Sequence, residues 1–359
     1  MTLSDEQRGL RDAAGSLLTK RSDSAAVRRA MESEPGYDVA LWQVLCEQIG
    51  VAALAIPERF GGVGASRHET HLVMEVLGRS LTPSPMLGSA VLTAQTLLAL
   101  GDDATSERLL PGIADGTTLA ALAWAGLDGR WDTEQAGTAV AGGRLTGEAH
   151  YVLDGDLADV LLVVARTGPS LAVYEVDPAD AERVRTPTVD PTRRLARVSL
   201  GGVAGRRIGP ADAAEALRTA RDAACIALSA EQVGAAARIL ELTVEYAKVR
   251  HQFGRPIGSF QALKHRMADL HVLLEAARSA SYAAVDGAVH PSVAKAYCSE
   301  AFQTIAGEAI QLHGGIAITW EHDAHLYFKR AHGSAQLFGQ PGEHVARLAD
   351  IATRGNSDV

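Results

Sequence analysis

Three apolar stripes at helical spacing run through residues 210–359, and they limit the fold more than any other feature of the chain. Val233, Ala237, Leu240, Val244 and Ala247 form the first; Leu263, Met267, Leu270, Leu274 and Ala277 the second; Val293, Tyr297, Ala301, Ile305 and Leu312 the third. Residues three and four apart share one face of a helix. Each stripe therefore predicts a long amphipathic helix, and short links between them predict an antiparallel bundle. The first third is also helical. Ser4-x-x-Gln7 fits a capping box, followed by Leu10, Ala13, Ala14, Leu17 and Leu18. A break comes at Glu34-Pro-Gly-Tyr37; shorter helices are expected over 41–49, 66–80 and 88–101, with weaker periodicity at 105–115. Between Thr118 and Gly209 the texture changes to short Val/Leu/Ala runs divided by Gly, Asp and Pro, such as Leu161-Leu-Val-Val-Ala165. Such runs predict antiparallel strands closing a compact barrel or sandwich. The expected fold is mainly α with a central β domain: helical 1–117, β 118–209, and a C-terminal four-helix bundle over 210–359.

Charge and cysteine usage exclude several functions. The net charge is 34 − 43 = −9, so the basic face that nucleic acid or an anionic membrane surface demands is not expected. No run reaches the ~18 apolar residues of a membrane span. The N-terminus has no apolar leader core. Cys46, Cys225 and Cys298 are far apart and odd in number, which suits free thiols in a reducing cytoplasm rather than a disulfide framework or metal site. His322 and His325 stand three apart, with His313, His332 and His344 nearby, but no HExxH accompanies them and no metal site is assigned. Gly61-Gly-Val-Gly64 lacks the spacing and the βαβ setting of a dinucleotide fingerprint and reads as a tight turn.

Two segments are more specific. In the first, Val249-Arg-His-Gln-Phe-Gly-Arg-Pro-Ile-Gly-Ser-Phe-Gln261, a long helix is expected to end at Phe253-Gly254, with Pro256 forbidding continuation and Ser259 capping the next helix. Arg250, Gln252 and Gln261 then surround one corner, a set suited to an anionic ligand such as a pyrophosphate. In the second, Ile310-Gln-Leu-His-Gly-Gly-Ile-Ala-Ile-Thr319, Gly314-Gly315 ends a helix and lets backbone approach a ligand without a Cβ in the way.

Together these segments resemble the acyl-CoA dehydrogenase family, matching its R-x-x-F-G-x-x-[IL]-x-x-x-Q and Q-x-x-G-G elements. Weaker similarities lie in Ile56-Pro-Glu-Arg-Phe-Gly-Gly-Val-Gly64, Glu75-Val-Leu-Gly78 and Leu110-Pro-Gly-Ile-Ala-Asp-Gly116, and the helix–β–helix order is the family's. The resemblance implies α,β-dehydrogenation of an acyl-CoA thioester with FAD: a carboxylate removes the α-proton while the β-hydrogen leaves as hydride. It also implies that Arg250, Gln252, Phe253, Gln261, Gln311, Gly314 and Gly315 bind the pyrophosphate and adenosine of FAD held by a neighbouring subunit.

The base is missing from both places the family uses. Counting from Gly315, Phe338 stands at one; counting back from Arg250, Ala224 stands at the other. The flavin-contacting T-E-P-x-x-G-S-D element is replaced by Ala123-Trp-Ala-Gly-Leu-Asp-Gly129, and W-I-[ST] by Tyr151-Val-Leu153. The resemblance thus implies a subunit of an α2β2 acyl-CoA dehydrogenase whose partner supplies the base, with a bulky steroid-CoA as leading substrate class and an electron-transferring flavoprotein as electron acceptor. Two alternatives stay open: a self-sufficient enzyme with its base relocated to Asp222, Glu231 or Glu343, and a non-catalytic scaffold.

Overall fold

The computed structural model describes residues 3–131 and 134–355. Met1 and Thr2, at the start of the segment without a leader core, lie outside them. The chain opens with α1 (Asp5–Arg21), whose capping box forms as the spacing requires: the Ser4 hydroxyl accepts from the Gln7 amide, and the Gln7 side chain accepts from the Ser4 amide. Then come α2 (Ser24–Glu32), α3 (Val39–Val44), a π-helical turn Leu45–Ile49 stopped by Gly50, and α4 (Arg67–Arg79). A second π-helical stretch, Met86–Thr93, runs into α5 (Ala94–Leu100). Last is α6 (Asp103–Ala114). The glycine-rich segment is a turn: Gly61 and Gly64 have positive φ, and a Cβ on Gly62 would lie 1.9 Å from the Ile56 carbonyl oxygen.

Eight strands follow: β1 (Ala120–Ala123), β2 (Thr138–Ala141), β3 (Arg144–Leu153), β4 (Val160–Thr167), β5 (Ser170–Val176), β6 (Glu182–Thr186), β7 (Leu195–Val203) and β8 (Arg206–Ile208). Their order is β6-β7-β3-β2-β4-β5-β8, with β1 also on β4. The sheet is mixed rather than antiparallel as the strand-and-turn pattern suggested, because β1 and β2 both pair parallel with β4. The residues of β4 explain why that strand can be central. Leu162 and Val164 enter the core shared with the helices, while Leu161, Val163 and Ala165 enter a separate core on the other face. A strand buried on both sides reads as a continuous apolar run.

The last part holds α7 (Ala214–Val249), the two-residue strands β9 (His251–Gln252) and β10 (Arg255–Pro256), α8 (Gln261–Val285), α9 (Pro291–His313), α10 (Ala324–Gln336) and α11 (Pro341–Gly355). α7 is the axle of the fold. Its first half packs with the N-terminal helices and the sheet, and its second half with α8, α9 and α10. It is long and apolar enough to cross a membrane, but it is buried within the protein. At its middle it meets α4 backbone to backbone: a Cβ on Gly234 would fall 1.9 Å from the Glu75 carbonyl oxygen, and one on Gly78 2.0 Å from that of Glu231. Only glycine on both helices permits that approach.

Two expectations at the bundle's turn need correction. α7 ends at Val249, before Phe253-Gly254, and Ser259 does not cap α8, whose N-cap is Phe260 with no side-chain bond. The chain turns sharply between β9 and β10 instead.

Candidate functional site

The residues expected from the resemblance to hold nucleotide lie at one end of the bundle. α7 stops there, α8 starts there, and α9 returns to it; Tyr246 near the end of α7 stacks on His313 at the end of α9, ring centres 4.5 Å apart. Between β9 and β10 both turn residues, Phe253 (φ 54°) and Gly254 (φ 77°), have positive φ, as a two-residue type I′ hairpin requires. Glycine does this freely, but a phenylalanine does so at a cost of about 1–2 kcal/mol. The strained ring is nevertheless 92% exposed. Arg250, Gln252, Gln261, Gln311, Gly314 and Gly315 are exposed as well. Arg250 forms no ion pair among the described residues. Gly314 (φ 67°) breaks α9, and nothing lies within 4 Å of where a Cβ would sit on it or on Gly315. A cation, three amides and two bare backbone positions thus face outward together, and this donor set fits a diphosphate-bearing nucleotide.

The two positions counted to as expected base sites, Phe338 and Ala224, are closed. Phe338 is fully buried, with φ 61°. It meets Trp131 edge-on at 5.0 Å, and Trp131 meets Trp124 edge-on at 5.7 Å. This pile is held from outside. His344 Nε2–H donates to the Phe338 carbonyl (3.1 Å), and Arg221 donates to that of Trp131 (3.1 Å). With Nε2 protonated, His344 Nδ1 accepts from the Ser292 hydroxyl at 3.0 Å. Burial, with the nearby Lys295 and Arg347 charges, pushes the His344 imidazole down to about 3, so it stays neutral. Ala224 is fully buried in the same core. The sequence counts pointed to Phe338 and Ala224; Trp131, packed on Phe338, and Trp124 behind it were not marked by any motif.

The carboxylates considered as substitutes fare unequally. Glu231 is buried against two guanidiniums: Arg193 and Arg330 both donate to its Oε1, the latter at 2.6 Å. Burial alone would raise its pKa, but the two arginines more than offset this and hold the carboxyl below its usual range. Arg330 also donates to Asp190 Oδ2 (2.6 Å) and to the Thr192 carbonyl (2.9 Å). Glu231 is therefore a structural anion joining α7, α10 and the segment between β6 and β7. Asp222 faces Arg221 at 3.6 Å. Glu343 accepts from the Gln340 amide (3.0 Å) at the start of α11, and of the three it alone lines a sizeable cavity. That cavity, about 500 Å³, lies between the sheet and the bundle and is walled by Asp128, Trp131, Tyr151, Asp190, Gln336 and Glu343. Two other crevices offer only about 20 Å³ each. One lies beside Tyr37, Met86 and Arg193, the other beside His71, Ala90 and Ala227. Each admits one water and no acyl chain. The histidines at 313, 322 and 325 are partly or wholly buried, with burial lowering the pKa of each, and no group of three metal-ligating side chains exists among the described residues.

A helical domain, a β domain and a bundle ending in an outward-facing polar corner define one class. The chain belongs to the acyl-CoA dehydrogenase family, FAD-dependent oxidoreductases acting on the CH–CH bond of acyl-CoA thioesters: it matches the family's N-terminal domain over residues 4–117 and its C-terminal domain over 214–350. Among known proteins it is 46% identical to acyl-CoA dehydrogenase IpdE2 of Mycobacterium tuberculosis, over 97% of this chain and 98% of that one. It is 43% identical to IpdE2 of Mycolicibacterium smegmatis, over 96% and 98%. Among solved structures, the Tcur3481–Tcur3483 steroid ACAD superposes with a TM-score of 0.89 at 30% identity, covering 99% of this chain and 100% of that one. The ChsE4–ChsE5 complex of Mycobacterium tuberculosis superposes with a TM-score of 0.87 at 26% identity, covering 98% of each.

Proposed function

We propose that this chain is the base-lacking subunit of a heteromeric, cytoplasmic acyl-CoA dehydrogenase, α2β2 in composition. It completes the FAD site of a catalytic partner with Arg250, Gln252, Phe253, Gln261, Gln311, Gly314 and Gly315. One asymmetry carries the reading: the nucleotide corner is complete and exposed, while both base positions are apolar and sealed in the core. Arg250 neutralises diphosphate charge, the amides of Gln252, Gln261 and Gln311 orient the nucleotide, and Gly314-Gly315 admit it close to the backbone. The chemistry FAD supplies when bound is acceptance of the β-hydrogen as hydride. The three domains, 1–117, 118–209 and 210–359, are proposed to follow the family's division. A steroid-derived acyl-CoA is the proposed substrate, supported by the steroid ACAD and the two-protein complex among the solved relatives. An electron-transferring flavoprotein is the proposed acceptor.

The direct test is Arg250→Ala in the complex. Flavin content is expected to fall at least tenfold with the assembly's mass unchanged; unchanged flavin content would exclude the assigned role. One observation favours a second reading, a self-sufficient enzyme: Glu343 lines the 500 Å³ cavity. Activity of the chain by itself that disappears in Glu343→Gln would establish that reading.

A further inference from the structure

The segment that leaves the nucleotide corner leads along the chain to a second patch. After Gly314 and Gly315 a short 3-10 helix, Gly314–Ile318, leads to Trp320 and then α10. Ile318 is 74% exposed and Trp320 61% exposed. Two large apolar side chains exposed two residues apart, one an indole, form a patch of the kind that interfaces use. The indole is also fixed in place. Arg28 of α2 lies over the ring at 5.5 Å, Lys329 of α10 at 4.9 Å, and His325 meets it edge-on at 4.6 Å. Arg28 is itself pinned by Asp323 at 2.6 Å. Lys329 forms no ion pair among the described residues. A ring held by cations gives up little freedom on binding, and an unneutralised lysine beside it selects for an acidic neighbour.

We infer that Ile318, Trp320 and Lys329 form an anchor for the catalytic partner subunit, whose matching face carries an apolar socket with a carboxylate at its edge. The inference rests on the subunit reading above, since the patch adjoins the corner assigned to the partner's cofactor. It goes further, because the corner holds nucleotide whereas this patch holds protein and sets which partner is accepted. A second copy of this chain is the other candidate occupant, and the self-association readout below separates the two.

The test uses the full chain with the acyl-CoA dehydrogenase subunit that co-purifies with it. Dissociation constants are read by mass photometry and sedimentation, and lone-chain melting is followed alongside. Trp320→Glu is expected to weaken assembly about thirtyfold or more without shifting the melting of the lone chain. Lys329→Glu is expected to weaken it several-fold and Lys329→Arg to retain it, and rising salt is expected to narrow the difference between those two variants. Arg250→Ala, by contrast, is expected to lose flavin and keep the assembly. Wild-type affinity in Trp320→Glu would overturn the anchor while leaving the subunit reading standing, as would loss of self-association with the heteromer intact. If the unmodified chains form no heteromer, the subunit reading itself falls and takes the anchor with it.

Discussion

On the proposed reading, Phe338 gives a packing function to a position expected to carry a chemical one. A carboxylate in its place would stand against Trp131 within the apolar core, where burial penalises its charge. Phe338→Glu is therefore expected to give no acyl-CoA-dependent bleaching of flavin in this chain alone, and to lower its melting temperature. Phe338→Ala is expected to lower the unfolding free energy by about 3–5 kcal/mol in chemical denaturation, from the cavity it leaves. Glu231 is the opposite case, a carboxylate retained for structure. Glu231→Gln leaves Arg193 and Arg330 sharing one carboxylate fewer inside the protein. It is expected to cost about 3–5 kcal/mol of stability, with turnover per flavin of the assembled enzyme unchanged below the melting temperature. A loss of turnover without a loss of stability would make Glu231 a catalytic group after all.

At the scale of elements, the seam of α7, α9 and α10 contains a fully buried lysine. Lys295 Nζ donates to the Ser299 hydroxyl and the Ala335 carbonyl, each at 3.0 Å. Burial pushes its pKa down to about 8 from an ordinary 10.5. Between those values the unfolded chain holds the extra proton, so this group makes the fold more stable as pH rises, by roughly 3 kcal/mol across the window. The buried thiols Cys225 and Cys298, pushed up to about 12, act in the opposite direction above the ordinary thiol range. The difference between wild type and Lys295→Met isolates the lysine. The variant's advantage at pH 7 is expected to shrink steadily between pH 8 and 10.5 in urea titrations; a pH-independent difference would mean that Lys295 is not desolvated. The helices themselves were legible from periodicity and caps, as Ser4 and Gln7 illustrate. The parallel pairing of β1 and β2 with β4 was not, because local alternation says nothing about which strand returns from far along the chain. Nor was the burial of α7 on all sides: its single stripe faces α8 and α9, while α4 covers the other side through Gly78 and Gly234.

For the molecule as a whole, the open features sit at one end and the closed ones at the centre. Motif spacing picked out the candidate residues around Arg250 and Gly314, because two short segments, each with its own backbone turn, carry them. The sealed centre was half legible. Phe338 and Ala224 could be counted to, but Trp124, Trp131, His344 and Arg221 come together from distant segments and carry no local signature. The same holds for the 20 Å³ crevices, which only packing defines. On the proposed reading, a chain built this way lends a nucleotide grip and leaves the acid–base chemistry to its partner. Absorbance at the flavin band, combined with native mass, measures this directly. The chain purified alone is expected to be colourless and inert toward acyl-CoA, and co-purified with its partner to give a yellow, active assembly with one FAD per pair of chains. A yellow preparation of this chain alone that turns over acyl-CoA would contradict the division of labour between the two subunits.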